Sequence, residues 1–258
     1  MKKLIQPYHL VTPSPWPLLM SLSIFIEFLG IYLFFIYSEI KFMMFGIFLI
    51  CLIMFCWWRD VIRESTFQGF HTTYVVKGLK LGMMIFIFSE VMFFFSIFFS
   101  YFYSFLSPDV WIGSMWPPAG VEKPNIHVAL YATVLLLSSG VHITCCHHSI
   151  IAGNKKLAMN MLIASIFEGL LFLRVQYIEY WTNMFTMSDS VYGSIFYLCT
   201  GFHGLHVCIG VLFLFIMLIR MMKNHFSSNH FVGLEMAIWY WHFVDLVWLF
   251  LFLSIYVL

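Results

Sequence analysis

One stretch constrains the fold more than any other: Lys77 to Tyr103, KGLKLGMMIFIFSEVMFFFSIFFSYFY. From Leu81 to Phe99 it holds no Lys, Arg or Asp, and its one carboxylate, Glu90, sits near the middle. About 20 apolar residues rising 1.5 Å each cross a hydrocarbon core of roughly 30 Å, so the run reads as a membrane-spanning helix. A carboxylate at mid-span is unfavourable by on the order of 2.5–3.5 kcal/mol. Helical spacing places Met83, Phe86, Ile87, Phe93, Phe94 and Ile97 on its face, and none of these hydrogen-bonds a carboxyl. A partner must come from another helix, lipid or water. Two readings stay open: a site concerned with protons, lipid or subunit contact, and a structural carboxyl satisfied by hydrogen bonds.

The rest of the chain has the same character. Of its 258 residues 62% are hydrophobic and 10% charged, against about 25% charged in a soluble domain. This is the composition of an integral membrane protein. A net charge of +1 gives no reason to expect nucleic acid. Cys51, Cys56, Cys145, Cys146, Cys199 and Cys208 lie in or beside apolar runs without zinc-type spacing, and read as small buried hydrophobes. The start, MKKLIQPYHLVTPSPWP, has no apolar h-region before its prolines, so no cleavable targeting segment is expected.

Seven spans are expected, in an all-α integral membrane fold: Trp16–Tyr37, Phe42–Trp58, Gly78–Phe105, His127–Ile151, Leu157–Phe185, Val191–Met222 and Phe231–Val257. Asp189 is expected to cap the sixth. Glu27 is a second intramembrane acid, in span one. Three regions follow: an arm with helices one and two (1–58), a polar connection along the interface (59–76), and a five-helix bundle (77–258). Lys2, Lys3, Arg59, Arg63, Lys77, Lys80, Lys155, Lys156, Arg220 and Lys223 fall on the N-terminal side, Lys41 and Lys123 on the other. Ten cations against two place the N-terminus on the positive side, cytoplasm or matrix. The absence of internal repeats or paired broken helices weighs against a secondary transporter.

Polar groups recur inside the spans. GFHGLHV puts His203 and His206 three apart on one face of span six. WYWHFVDLVW and the turn before it put Glu235, His242 and Asp245 on one face of span seven. Metal or haem ligation, a proton relay, and plain interhelical hydrogen bonding can all use such groups; the last, at roughly 0.6 kcal/mol per bond, is the ordinary case. No glycine pattern on facing helices makes room for a porphyrin beside these histidines. In span five Glu168 and Arg174 are six residues apart, about 240° round the helix, so each needs its own partner.

Taken together, WWRDVIRESTFQGFHT, SEVMFFFSIFFSYFY, WPPAGV, GFHGLHV and WYWHFVDLVW resemble, in order and spacing, subunit III of the aa3-type cytochrome c oxidases, from about Pro7 to Tyr256. VTPSPWP and MSDSVYGS bring the resemblance close to the mitochondrial form. It implies a subunit with no catalytic residue, metal or redox centre of its own in a complex that oxidises cytochrome c, reduces dioxygen to water and pumps protons. Haem a, haem a3 and copper would lie in subunits I and II. The resemblance also implies a V, with helices one and two set apart from three to seven and phospholipid in the cleft, and packing on subunit I, beside subunit II and supernumerary subunits. The chain would support proton uptake and stability of subunit I from the mitochondrial inner membrane, N-terminus in the matrix and C-terminus in the intermembrane space.

Residue by residue, Glu90 matches the family's carbodiimide-reactive, proton-related glutamate, with His203 and His206 as its candidate partners. Trp58, Arg63, Glu64, His71, Lys80, Arg220, His225 and His230 match its phospholipid-binding region. Lys80 stands where mammalian members carry Arg. Glu168 and Arg174 depart from apolar residues of the family, and the stretch from WPPAGV to Ala132 looks slightly shorter. The rival readings are an autonomous proton or ion channel and a haem-bearing cytochrome b-like or quinol oxidase subunit.

Overall fold

In a computed structural model, which describes residues 7–258, helix is the dominant element. The helices are α1 (Trp16–Tyr37), α2 (Lys41–Thr66), α3 (Thr73–Leu106), α4 (Ile126–Ile151), α5 (Lys155–Thr182), α6 (Val191–Met222) and α7 (Val232–Leu251). α7 runs on into a wider π turn, Phe252–Val257, and a single 3-10 turn, Val110–Ile112, interrupts the α3–α4 loop. All seven α-helices are long and apolar enough to cross a membrane. Among the described residues there is no strand, only an isolated backbone bridge between Ser227 and His230.

Two helix ends differ from the sequence expectation. α2 does not stop at Trp58 but continues to Thr66, and α3 begins at Thr73, so only 67–72 of the 59–76 stretch is non-helical. Arg59, Asp60, Arg63 and Glu64 are compatible with helix; the change in polarity marks where α2 leaves the apolar layer, not where it ends. The cap of α6 is Ser190, whose hydroxyl accepts from Gly193 N–H at 3.1 Å; Asp189 accepts instead from Thr186 N–H at 2.6 Å. Asn125 and Asn154 cap α4 and α5 in the same way, accepting from His127 N–H and Leu157 N–H. Such caps satisfy amides that the first helical turn leaves unpaired.

The chain divides into two units, one ending at Leu79 and the other running from Lys80 to Leu258. The first is organised on the α1–α2 hairpin. Gly30 lies against the Met43 backbone, where a Cβ would meet it at 2.6 Å, and Gly46 lies against Glu27, which leaves no room for a Cβ either. Small residues let helix backbones approach where lipid removes the hydrophobic drive for association. At the polar end of α2, Asp60 accepts from Trp16 Nε1 at 2.8 Å and from Arg59, while Glu64 pairs with His9 at 3.2 Å.

The second unit is organised on Trp241 of α7, which is fully buried. Its ring fills the space left by Gly169 of α5 and Gly210 of α6, and its Nε1–H donates to Ser139 Oγ of α4 at 2.9 Å. Ser165 of α5 donates to the Ser139 carbonyl at 3.0 Å. Two turns further on, Trp248 donates to Thr133 at 3.0 Å and takes Phe172 edge-on at 4.8 Å. Each buried indole thus has its apolar body packed and its one donor satisfied. α3 makes no comparably close backbone approach to α4–α7. From Lys80 onward it joins them through long side chains, among them Phe93 on Phe202 (4.9 Å) and Phe86 on Tyr240 (6.3 Å).

Candidate functional site

The structure supplies Glu90 with a partner from another helix. Glu90 Oε2 of α3 lies 2.9 Å from His206 Nε2 of α6. His206 Nδ1 lies 2.6 Å from the Phe202 carbonyl, which can only accept, so Nδ1 carries a hydrogen. A single further proton then lies between Nε2 and Oε2, and the pair can be neutral as carboxylic acid with imidazole or as carboxylate with imidazolium. Phe94, Tyr240 and Phe243 surround the imidazole at 5.1, 6.4 and 6.3 Å. His203, the other candidate, points elsewhere: it is wholly buried, its Nε2 is 3.2 Å from the Val244 carbonyl, and Phe172 and Trp248 close in at 5.5 and 5.1 Å. That packing leaves no room for a porphyrin at His203.

The polar face read along α7 separates into two places. Glu235, at the first turn, is bound by Lys80 of α3 at 2.5 Å, so one residue assigned to headgroup binding pairs with one assigned to the intramembrane row. Asp245 is buried with its Oδ2 against Gly140 of α4, where a Cβ would sit 2.8 Å away. His242, on the same face, is exposed, with Thr144 Oγ1 3.4 Å from its Nε2. The polar groups form separate clusters, not one file. Among the described residues no three His, Cys, Asp or Glu side chains converge as a metal site.

Glu168 also finds a partner. Its carboxyl takes His142 Nδ1 at 2.9 Å and the Ser138 hydroxyl at 3.0 Å, both from α4. Arg174 is exposed on the outer side of α5. Glu179, which sequence reasoning missed, is one of the most buried acids at 3% exposure and accepts from Gln176 Nε2 at 2.9 Å. The available signal was the i,i+3 spacing of Gln176 and Glu179 in one span. Of the cysteines, Cys146 and Cys199 are buried as expected, but Cys51 and Cys208 are exposed, and all six are free.

The residues assigned to phospholipid fall in both units. In the first, Trp58 is exposed, the Arg63 guanidinium lies 3.9 Å from Asp60, Glu64 is held by His9, and His71 lies 6.1 Å from the His9 ring. In the second, apart from Lys80, they gather at the α6–α7 turn. Arg220 sits over the Phe226 ring at 4.7 Å and lies against Gly233, and His230 pairs its backbone with Ser227. Burial and the charges of Arg220 and Lys223 hold His225 below the usual histidine range. At neutral pH His225 therefore adds no charge to that of Arg220 and Lys223.

Residues 6–258 match the sequence model of a family described as cytochrome c oxidase subunit III. Similar curated proteins carry the description cytochrome c oxidase subunit 3. That of Mammuthus primigenius is 50% identical, that of Bos taurus 49% and that of Coturnix japonica 48%, each over 250 residues and 96% of both chains.

Proposed function

The chain belongs to the cytochrome c oxidase subunit III family, and from that premise we propose that it is a non-catalytic core subunit supporting proton uptake and stability in its oxidase. It is a subunit of the complex, not a free-standing enzyme. The observation that carries this is a match over nearly the whole chain at about half identity. Subunit I, which with subunit II holds haem a, haem a3 and copper, is its main contact. It resides in the mitochondrial inner membrane with the N-terminus in the matrix.

Two local arrangements support finer roles. The Glu90–His206 pair holds one exchangeable proton between two helices within an aromatic surround. That suits a group acting on proton supply to a neighbouring subunit, not one conducting across this chain. Arg63 and Trp58 in one unit, and Arg220, His225 and His230 in the other, offer cations, hydrogen-bond donors and an interfacial indole to phospholipid headgroups. Lys80 is drawn to Glu235 and contributes less to that binding than a free cation.

The test is fractionation of the oxidase from native membranes. The chain should co-purify with cytochrome c oxidation and with the haem- and copper-bearing polypeptides. Once separated, it should show no haem or copper absorbance. Stoichiometric haem retained on the separated chain would overturn the proposal in favour of a cytochrome b-like subunit.

A further inference from the structure

Arg174 is a cation on the wrong surface for a lipid-facing helix. Ile163, Phe167, Leu170, Arg174, Tyr177 and Trp181 are all exposed and form one outward stripe of α5. Their spacing is 4, 3, 4, 3, 4, the 3.5-residue repeat that a second helix packs against. Arg174 lies at the centre of the stripe. Among the described residues its side chain has no hydrogen-bond or ion-pair partner. The nearest acid along its own helix, Glu168, faces a different side and is already bound by His142 and Ser138.

Depth argues against a lipid headgroup as the missing partner. α5 spans Lys155–Thr182, so Arg174 lies between five and six residues past its midpoint. At 1.5 Å per residue that is about 8 Å from the middle of the layer, well inside a hydrocarbon half-thickness of roughly 15 Å. Trp181 and Tyr177, 81% and 69% exposed, mark the interfacial belt on the side of the α5 C-terminus. Helical side chains lean toward their own N-terminus, here away from that nearer interface. Snorkelling toward the phosphates therefore works against the geometry of the helix.

We infer that the outer face of α5 is the docking surface for a transmembrane helix of another subunit, which presents an Asp or Glu carboxylate to Arg174. The guanidinium would bind that carboxylate through two parallel N–H donors, a bond that lipid cannot compete for as water would. Phe167, Leu170 and Tyr177 would pack on either side of it and set the register. This rests on the reading of the chain as one subunit of a larger oxidase, and it adds which face a neighbour covers and what residue that neighbour carries.

The experiment is a structure of the intact oxidase, isolated from native membranes with its full set of polypeptides and lipids. The expected result is a helix of a second polypeptide along α5 with a carboxylate oxygen within about 4 Å of the Arg174 guanidinium. A phospholipid phosphate at Arg174, a carboxylate supplied by this chain itself, or open bilayer along the stripe would each overturn the inference while leaving the proposed function standing. A complex that lacks this chain altogether would instead remove the premise. In a variant series the neighbouring polypeptide should dissociate several-fold more readily from Arg174→Leu than from Arg174→Lys on detergent exchange. Equal retention in the two variants would count against the ion pair.

Discussion

At the scale of single residues, the second hydrogen bond of a histidine decides what its partner can be. Because His206 Nδ1 is committed to Phe202, the Nε2–Glu90 contact survives only if the other side brings or shares a proton. Glu90→Gln keeps the contact, since the amide N–H donates to the Nε2 lone pair. Glu90→Leu leaves Nε2 unpaired in a largely buried place, at about 1–3 kcal/mol. The expected outcome is near-normal thermal stability of the complex for Gln, a lowered midpoint for Leu, and unchanged haem and copper spectra for both. Equal stability of the two variants would show that the pair contributes nothing to holding α3. The sequence makes His203 and His206 equal candidates, because both lie on one side of α6. What separates them is rotation: three residues on a helix differ by about 60°, enough to turn His203 toward Val244. No spacing rule contains that choice. The partner of Glu168 was open to a register count. Ser138 lies fifteen residues before Gly153 at the α4–α5 turn and Glu168 fifteen after it, so a tight antiparallel hairpin brings them level.

At the scale of elements, α4 to α7 are held by one large ring set against small residues. A Cβ on Gly169 would lie 2.7 Å from the Trp241 ring and 2.8 Å from Val211; on Gly210 it would meet the same ring at 2.9 Å. Nothing there can move aside, because Trp241 is pinned by its bond to Ser139. Gly169→Ala and Gly210→Ala should each destabilise the bundle by about 1–3 kcal/mol through overpacking. Gly204→Ala is the control: on the same α6, its Cβ would meet nothing within 4 Å, and the better helix propensity of Ala makes a neutral or slightly stabilising change the expected result. Differential scanning of subunit loss from the detergent-solubilised complex distinguishes them, and a Gly204→Ala effect as large as the other two would discredit the wedge. The seven helices were legible because apolar length suffices to locate them. The end of α2 was not, because polar residues that remain helical look, in sequence, like the start of a loop.

At the scale of the whole chain, seven helices long enough to cross a membrane and an uneven distribution of cations together predict a sidedness. The second unit fixes two of its own ends. Lys155 of the α4–α5 turn donates to Asn224 of the α6–α7 turn, and Lys123 of the long loop donates to the terminal Leu258 carbonyl at 2.9 Å. Lys155, Lys156, Arg220 and Lys223 therefore gather at one end of this unit, and Lys123 at the other. Short basic turns are retained on the side of synthesis and insertion, so the cationic end should face the matrix. Trypsin added to inside-out inner-membrane vesicles should cut after Lys223, which is exposed, and leave it intact in mitoplasts. A glutamate-specific protease should show the opposite preference at Glu122, exposed in the loop at the far end. The two cuts must change together. Cleavage after Lys223 from the outer face of mitoplasts would reverse the orientation, and with it the side from which the Glu90–His206 pair could serve proton uptake.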